Sequence, residues 1–338
     1  MENAWRGIVN RERLSSKKVL ITGATGLIGS FMTDLLLYAN RIQGMEIDIY
    51  ILARDEKRVT KRFASSLGVE KFHCIFQDVT KALNLKGSLD YIIHAAGDGF
   101  PSAFRTAPVE TMTPALLGTY QLLQYARKVE LEKFLYISSG EVYGKLPAAK
   151  QAFEEKDCGY LDSMAVRSCY PMAKRCAETL CVSFSEQYHV PVVIARPSHV
   201  YGACTSIHDN RATVQFLNAV LEGKNVILNS HGRQMRSYTY VADCVSGVFT
   251  ILLNGADREA YNVANRISRL TIAEFARILA ETAQTRCEIR IPSEEEKREY
   301  TPIEYAVLDS SKLEKLGWRG QYPIYKGIRQ MLEIKKAE

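Results

Sequence analysis

The sequence predicts an α/β fold, a doubly wound parallel sheet joined to a smaller C-terminal lobe, and two observations carry that reading. Through the first two thirds of the chain, short β-branched runs alternate with longer stretches of helical period, the order that parallel strands with crossover helices require. Within the runs apolar residues are nearly continuous, as in strands covered on both faces. The runs are KKVLIT (17–22), IDIYILA (47–53), KFHCIF (71–76), DYIIHAA (90–96), KFLYISS (133–139) and VPVVIARP (190–197). Helices are expected over about 27–39, 56–66, 108–129 and 171–188. After Pro197 the alternation loosens, leaving a helix expected near 211–222 and a short strand, NVIL, at 225–228. The expected division is a first domain over 1–197, to which a segment near 236–265 returns, and a second over 198–338. The second would lie over the carboxyl ends of the strands, where open α/β sheets bind ligands.

Composition excludes several classes. With 338 residues, 46% hydrophobic and 24% charged, the chain has enough apolar surface for a large core, which argues against disorder. No apolar run approaches the roughly 18 residues of a membrane span, and the opening MENAWRGIVNRERLSSKK lacks a signal-peptide core, so a cytoplasmic protein with no membrane partner is expected. The eight cysteines are scattered without zinc-ligand spacing and read as reduced thiols, with no metal site. A net charge of +6, spread along the chain, suits an anionic small molecule better than nucleic acid.

The first run leads directly into TGATGLIG, with Gly23, Gly26 and Gly29, and then into an apolar helical stretch that begins at Leu27 and Ile28. Glycines there let the backbone turn tightly and approach a pyrophosphate, while the helix N-terminus supplies N–H groups and positive dipole. The strand, loop and helix together predict a Rossmann-like dinucleotide site. Asp78 in FQDV is a candidate adenine contact, with Val79 beside it and Ala95 at the end of the fourth run completing the cofactor-binding set. The second run ends in Ala53-Arg54-Asp55. Arg54, followed by Lys57 and Arg58, suggests a 2′-phosphate and NADP; Asp55 would suit the free ribose hydroxyl of NAD.

Tyr170 and Lys174 form a YxxxK pair with a proline, Pro171, directly after the tyrosine. Among 18 tyrosines about one such match is expected by chance, so context has to carry it. Residues i and i+4 share a helix face, and a proline costs little at the first helical position, so the helix is expected to begin at Pro171 with Tyr170 as its cap. Upstream, ISSGEVYG puts Ser139 and Glu141 at the carboxyl edge of the fifth strand. Ser139 is expected to hydrogen-bond the Tyr170 phenol, and the Lys174 ammonium to lower the phenol pKa, making Tyr170 a general base.

Taken in order, these motifs resemble the extended short-chain dehydrogenase/reductase family, in its branch of NAD-dependent nucleotide-sugar epimerases, dehydratases and decarboxylases. The resemblance covers roughly 17–327 and rests on TGATGLIG, HAAG (94–97), SSGEVYG, YPMAK, RPSHVYG (196–202) and RQMRSYTYVAD (233–243). It implies that Tyr170, Lys174 and Ser139 oxidise the C4 hydroxyl of a nucleotide-diphosphate sugar through a bound nicotinamide dinucleotide, which Tyr170 and Lys174 also contact. It implies too that His199, Arg211 and Arg236 bind substrate, that NAD is the cofactor, and that the helices near 108–129 and 171–188 form a homodimer interface.

Within the family, RSCY followed by KR and AETL, and DNRATVQF (209–216), look like UDP-glucuronate decarboxylase. Glu141 stands where decarboxylases and dehydratases carry a glutamate. A 4-epimerase is the first alternative. A 4,6-dehydratase follows, against which Gly140 replaces the aspartate that protonates the leaving hydroxyl. Three further departures mark the chain: His199 and Ala115 replace asparagines, and Tyr305 and Ala306 fall near the place of a C-terminal arginine. A dinucleotide-sensing protein without turnover is the alternative from a different class; the intact Tyr-Lys-Ser set argues against it.

Overall fold

The structure is a computed structural model, and it describes residues 1–85, 87–145, 150–205, 209–290 and 305–337. Short helix α1 (Glu2–Arg6) precedes strand β1 (Lys18–Thr22), and α2 (Leu27–Gln43) follows the glycine loop. Then come β2 (Asp48–Ala53), α3 (Glu56–Arg62), β3 (Phe72–Phe76) and β4 (Tyr91–His94). Helices α4 (Pro101–Thr106) and α5 (Pro108–Thr113), a π-helical segment (Pro114–Gly118) and α6 (Thr119–Ala126) lead to β5 (Lys133–Ile137). Helix α7 (Cys169–Tyr188) runs to β6 (Val192–Pro197) and β7 (His199–Tyr201). Next are α8 (Ala212–Leu221), β8 (Val226–Leu228), β9 (Met235–Tyr240), α9 (Val241–Asn254) and β10 (Glu259–Val263). The chain ends through β11 (Arg269–Thr271), α10 (Ile272–Thr282), β12 (Cys287–Ile289), β13 (Tyr305–Ala306), α11 (Ser311–Lys315) and α12 (Ile324–Ala337).

The central sheet has seven parallel strands in the order β10-β6-β5-β4-β1-β2-β3. The two-residue period of a strand divides its side chains between two cores. Val19, Ile21, Ile93, Leu135 and Val193 pack with α2 and α9 residues. Their neighbours Leu20, Ile92, Phe134, Tyr136 and Val192 pack with α6 and α7 residues on the other face. Strand order reverses between β1 and β4, and this switch point opens the crevice in which such sheets take ligands. The returning segment contributes β10 to the main sheet, while β7, β9, β11 and β13 form a second, smaller sheet beside it.

All seven expected strands are present, but several helices depart from expectation. The stretch expected as one helix over 108–129 carries a π turn, because Pro114 has no N–H to give to the turn before it. Its carbonyl accepts a hydrogen bond from His94 Nε2 at 3.1 Å. That fixes the tautomer: His94 Nδ1 then accepts from Thr22 Oγ1 at 2.8 Å, and Thr22 Oγ1 in turn accepts from the Ala95 and Ala96 amides at 3.2 and 3.1 Å. One buried network therefore ties the ends of β1 and β4 to the π turn. The helix expected over 56–66 ends at Arg62. Among the described residues, no helix is long and apolar enough to cross a membrane.

Candidate active site

At the glycine loop, two glycines are required by the fold and the third is left open. Gly23 has φ +69°, and a Cβ there would stand 2.6 Å from the Ala95 carbonyl oxygen. A Cβ on Gly29 would lie 2.2 Å from the Gly23 carbonyl oxygen, so the start of α2 packs directly on the loop. At Gly26, the N-cap of α2, an added Cβ would meet only Gly23 O within 4 Å, at 3.4 Å. The first-turn amides at Leu27 and Ile28 have no acceptor within the helix. A backbone nest of this kind fits a pyrophosphate and accommodates the dinucleotide predicted there. Val79 packs where a Cβ on Gly118 would touch it at 3.0 Å, beside the π turn.

Beyond the loop, the residues weighed for the ribose take different parts. Asp55 is the N-cap of α3, accepting from the Arg58 amide at 3.1 Å, which commits the carboxylate expected to hold the ribose of NAD. Arg54 is exposed and sits 4.0 Å from Asp78. Two hydrogen bonds from Thr80 at 2.8 Å, from its amide and its hydroxyl, hold the Asp78 carboxyl below the usual carboxylate range, assisted by Arg54.

The Tyr170 helix begins earlier than expected. A 3-10 turn over Val166–Ser168 runs into α7 at Cys169, whose φ −50° and ψ −46° are already helical. Tyr170 is the second helical residue and Pro171 the third, so the expectation of Tyr170 as a cap before Pro171 is corrected. Pro171 still removes no hydrogen bond, because amides of the first turn lack an intrahelical acceptor. The pre-proline bias toward extended geometry yields here to the preceding turn.

Tyr170 and Lys174 do share a face. The Lys174 ammonium is buried, donates to the Ile137 carbonyl at 2.7 Å and lies 4.7 Å from the Tyr136 ring and 5.8 Å from the Tyr170 ring. Burial pushes its pKa down to about 8, against the pull of Glu178 one turn on. Enclosure pushes the Tyr170 phenol up to about 12, while a hydrogen bond with Ser139 and the charges of Arg211 and Arg167 draw it down. The expected lowering of the phenol by Lys174 is therefore replaced by Ser139 and two arginines, because the ammonium is turned to the Ile137 carbonyl. Ser139 Oγ also accepts the Glu141 amide at 3.2 Å, capping the short turn that carries Glu141.

Glu141 makes a two-pronged pair with Arg167, Nη2 to Oε1 at 3.1 Å and Nη1 to Oε2 at 3.0 Å. The Arg167 guanidinium lies 4.7 Å over the Phe104 ring, and Phe104 stacks on Tyr170 at 4.5 Å with 16° between planes. From the smaller sheet, His199 on β7 stands beside Tyr238 of β9, with ring centroids 6.1 Å apart. Although His199 is exposed on β7, the surrounding protein and then the charges of Arg236 and Arg211 draw its imidazole below the usual histidine range. Arg211 is held by buried Asp209, with Nη2 to Oδ2 at 2.6 Å, and reaches the Val200 carbonyl at 3.3 Å. With Leu27 of α2 it lines a narrow crevice. Arg236 is buried in β9, where its charge interacts with Glu141. Tyr305 and Ala306, expected near the place of a C-terminal arginine, form β13 alongside Met235 and Arg236.

Sequence reasoning missed three contributors. Phe104 lies in the short helix α4 with no motif around it, and Arg167 was read only as part of a family likeness. The third is the pair of Glu178 and Arg196, bonded at 2.9 and 2.6 Å, with Arg196 also donating to the Tyr143 hydroxyl at 3.0 Å. The i+4 spacing of Tyr170, Lys174 and Glu178 was the available signal for it.

Comparison with known proteins agrees with this geometry. The sequence model of the NAD dependent epimerase/dehydratase family matches residues 19–264. The chain belongs to that family. Among its curated relatives is UDP-glucuronic acid decarboxylase 6 of Arabidopsis thaliana, 30% identical over 322 residues, covering 94% of this chain and 89% of that protein. UDP-glucuronic acid decarboxylase 1 of Xenopus tropicalis is 29% identical over 328 residues, 95% of this chain and 73% of that protein. Similar solved structures include UDP-glucuronic acid 4-epimerase from Bacillus cereus, TM-score 0.78 at 22% identity over 95% of this chain and 99% of that one. A dTDP-glucose 4,6-dehydratase from Streptomyces venezuelae gives TM-score 0.80 at 21% identity, over 95% and 97% of the two chains. The family is NAD-dependent, and its members of known activity among these relatives act on nucleotide sugars.

Proposed function

We propose that this family member oxidises the C4 hydroxyl of a UDP-linked uronic acid and releases its carboxyl group as carbon dioxide. The observation that carries the proposal is the convergence of Tyr170, Ser139 and Lys174 with a second acidic group, Glu141, in one crevice. When bound, an oxidised nicotinamide would accept the C4 hydride, give it back to C4 after carbon dioxide has left, and add positive charge beside the phenol. Tyr170 takes the C4 hydroxyl proton, and Ser139 orients that hydroxyl. The resulting 4-keto uronate is a β-keto acid: its C5–C6 bond breaks, carbon dioxide leaves, and the electron pair passes into the enolate of the C4 ketone. We assign to Glu141 the delivery to C5 of a proton that it takes up from solvent once it is free of Arg167.

The remaining assignments belong to the same reading. Gly26, Leu27, Ile28 and Gly29 would hold the dinucleotide pyrophosphate, and Arg54 and Asp78 its adenosine end. We favour NAD, since the negative Asp78 beside Arg54 offsets attraction for a 2′-phosphate. Arg211, Arg236 and His199, in the part of the chain after 197, are assigned to the nucleotide diphosphate and sugar. A cytoplasmic address is supported by eight free thiols, and a homodimer by exposed Leu117, Tyr120, Val182 and Tyr188 along the α6 and α7 region.

Against dehydration, Gly140 offers no acid beside Glu141, and a side chain there would meet Leu308 at 3.2 Å. A 4-epimerase is the second reading, favoured by Tyr305 and Ala306 near the expected place of the arginine. The deciding experiment incubates the NAD-loaded protein with UDP-, dTDP-, CDP- and GDP-sugars and weighs the products. Loss of carbon dioxide from a uronate is expected. Unchanged mass with inverted C4 would establish the epimerase, loss of water the dehydratase, and tight NAD binding with no reaction a sensing protein.

A further inference from the structure

We propose that the Arg167 guanidinium is the receptor for the carboxylate on the substrate's sugar, and that Glu141 occupies this receptor until substrate arrives. The inference rests on the uronate reading above and deepens it. Arg167 offers its planar fork to a carboxylate through two bonds of 3.1 and 3.0 Å, the geometry in which arginine recognises carboxylates. The side chains of Arg167 and Glu141 are 45% and 31% exposed, so another carboxylate can displace the pair at small cost. The other two candidate arginines are differently placed: Arg211 is committed to buried Asp209, and Arg236 is itself buried in β9.

Position supports the same assignment. The guanidinium lies 4.7 Å over the Phe104 ring, and the same ring stacks on Tyr170 at 4.5 Å, so Phe104 touches both the fork and the tyrosine. A sugar whose C4 hydroxyl meets Tyr170 carries its carboxylate on the adjacent carbon, C5, which brings that group toward Arg167. Its arrival frees Glu141. When the C5–C6 bond breaks, the carboxylate leaves as neutral carbon dioxide and its electron pair stays on the sugar, so the fork loses its partner and Glu141 returns to it. A neutral hydroxymethyl group at C6 has no charge with which to displace Glu141, and the exchange thereby selects uronates.

Calorimetric titration of the NAD-loaded protein with UDP-glucuronate and with UDP-glucose, which differ at C6, tests this directly. Arg167→Gln should weaken UDP-glucuronate by about ten-fold or more while UDP-glucose stays within about three-fold, as loss of a charged, two-pronged contact requires. Arg167→Lys, which keeps the charge without the fork, should fall between, and it is the variant to read if the glutamine form loses NAD binding. Glu141→Gln removes the resting competitor and should tighten UDP-glucuronate. Equal weakening of both sugars, unchanged UDP-glucuronate affinity in the Arg167 variants, or weaker uronate binding in Glu141→Gln would overturn the proposal. Binding and product mass separate the two claims: an Arg167-dependent preference for uronate without release of carbon dioxide sinks the decarboxylase reading alone. Release without that preference sinks the receptor alone.

Discussion

Tyr170 and Lys174 are each held away from their ordinary protonation behaviour by the interior around them. Enclosure raises the phenol to about 12, and burial lowers the ammonium to about 8, so the protein leaves both groups in states that added positive charge would shift toward a usable base. His94 shows the same effect with a measurable consequence for stability. Burial, then the charge of Lys174, hold it down to about 3, although the Pro114 carbonyl accepts its Nε2 proton and pulls the other way. A base whose folded pKa lies below its unfolded value takes up a proton on unfolding in the window between the two. Stability should therefore decline as pH falls from about 6.5 toward about 3, with His94 contributing about one proton to the uptake near pH 5. Denaturant midpoints measured across that range should show a shallower decline in His94→Gln; an identical slope would mean that the imidazole is not held neutral.

At the scale of elements, helix α7 carries Tyr170 and Lys174 and is anchored from below by Glu178. The pair it makes with Arg196 is nearly dry, 10% and 13% exposed, and Arg196 passes the connection to the Tyr143 hydroxyl, which donates to Asn262 at 2.6 Å. Removing the carboxylate leaves a guanidinium buried without its counter-charge, so Glu178→Gln should cost about 3–5 kcal/mol. Urea denaturation checks it, and a loss below about 1 kcal/mol, the range of exposed pairs, would contradict it. The strands of the central sheet were legible because burial on both faces writes nearly continuous apolar runs. The glycine loop was legible because its spacing reflects steric need at Gly23 and Gly29. Helix details were not. A proline signals a boundary only when the flanking turn is known, and neither the 3-10 turn before Cys169 nor the π turn at Pro114 leaves a periodic trace. Arg167 and Phe104 escaped for a related reason: their role comes from stacking between segments far apart in sequence.

For the whole molecule, α6 and α7 cover one face of the sheet and leave Tyr120, Val182 and Tyr188 exposed on their outer side. Light scattering should report a dimer, and Val182→Glu should shift it toward monomer; a monomeric parent protein would contradict the interface. The sequence motifs marked the positions at which the crevice residues meet, whereas the sharing of charge among Glu141, Arg167, Arg211 and Arg236 became visible only in three dimensions. All of these groups serve the account only if Tyr170 is the base at C4. The most direct test is single-turnover reaction of NAD-loaded Tyr170→Phe with UDP-glucuronate. Retained dinucleotide binding with C4 oxidation slowed by about 10²–10⁴-fold, the usual share of a positioned base, is the predicted result. Near-normal turnover in that variant would contradict it.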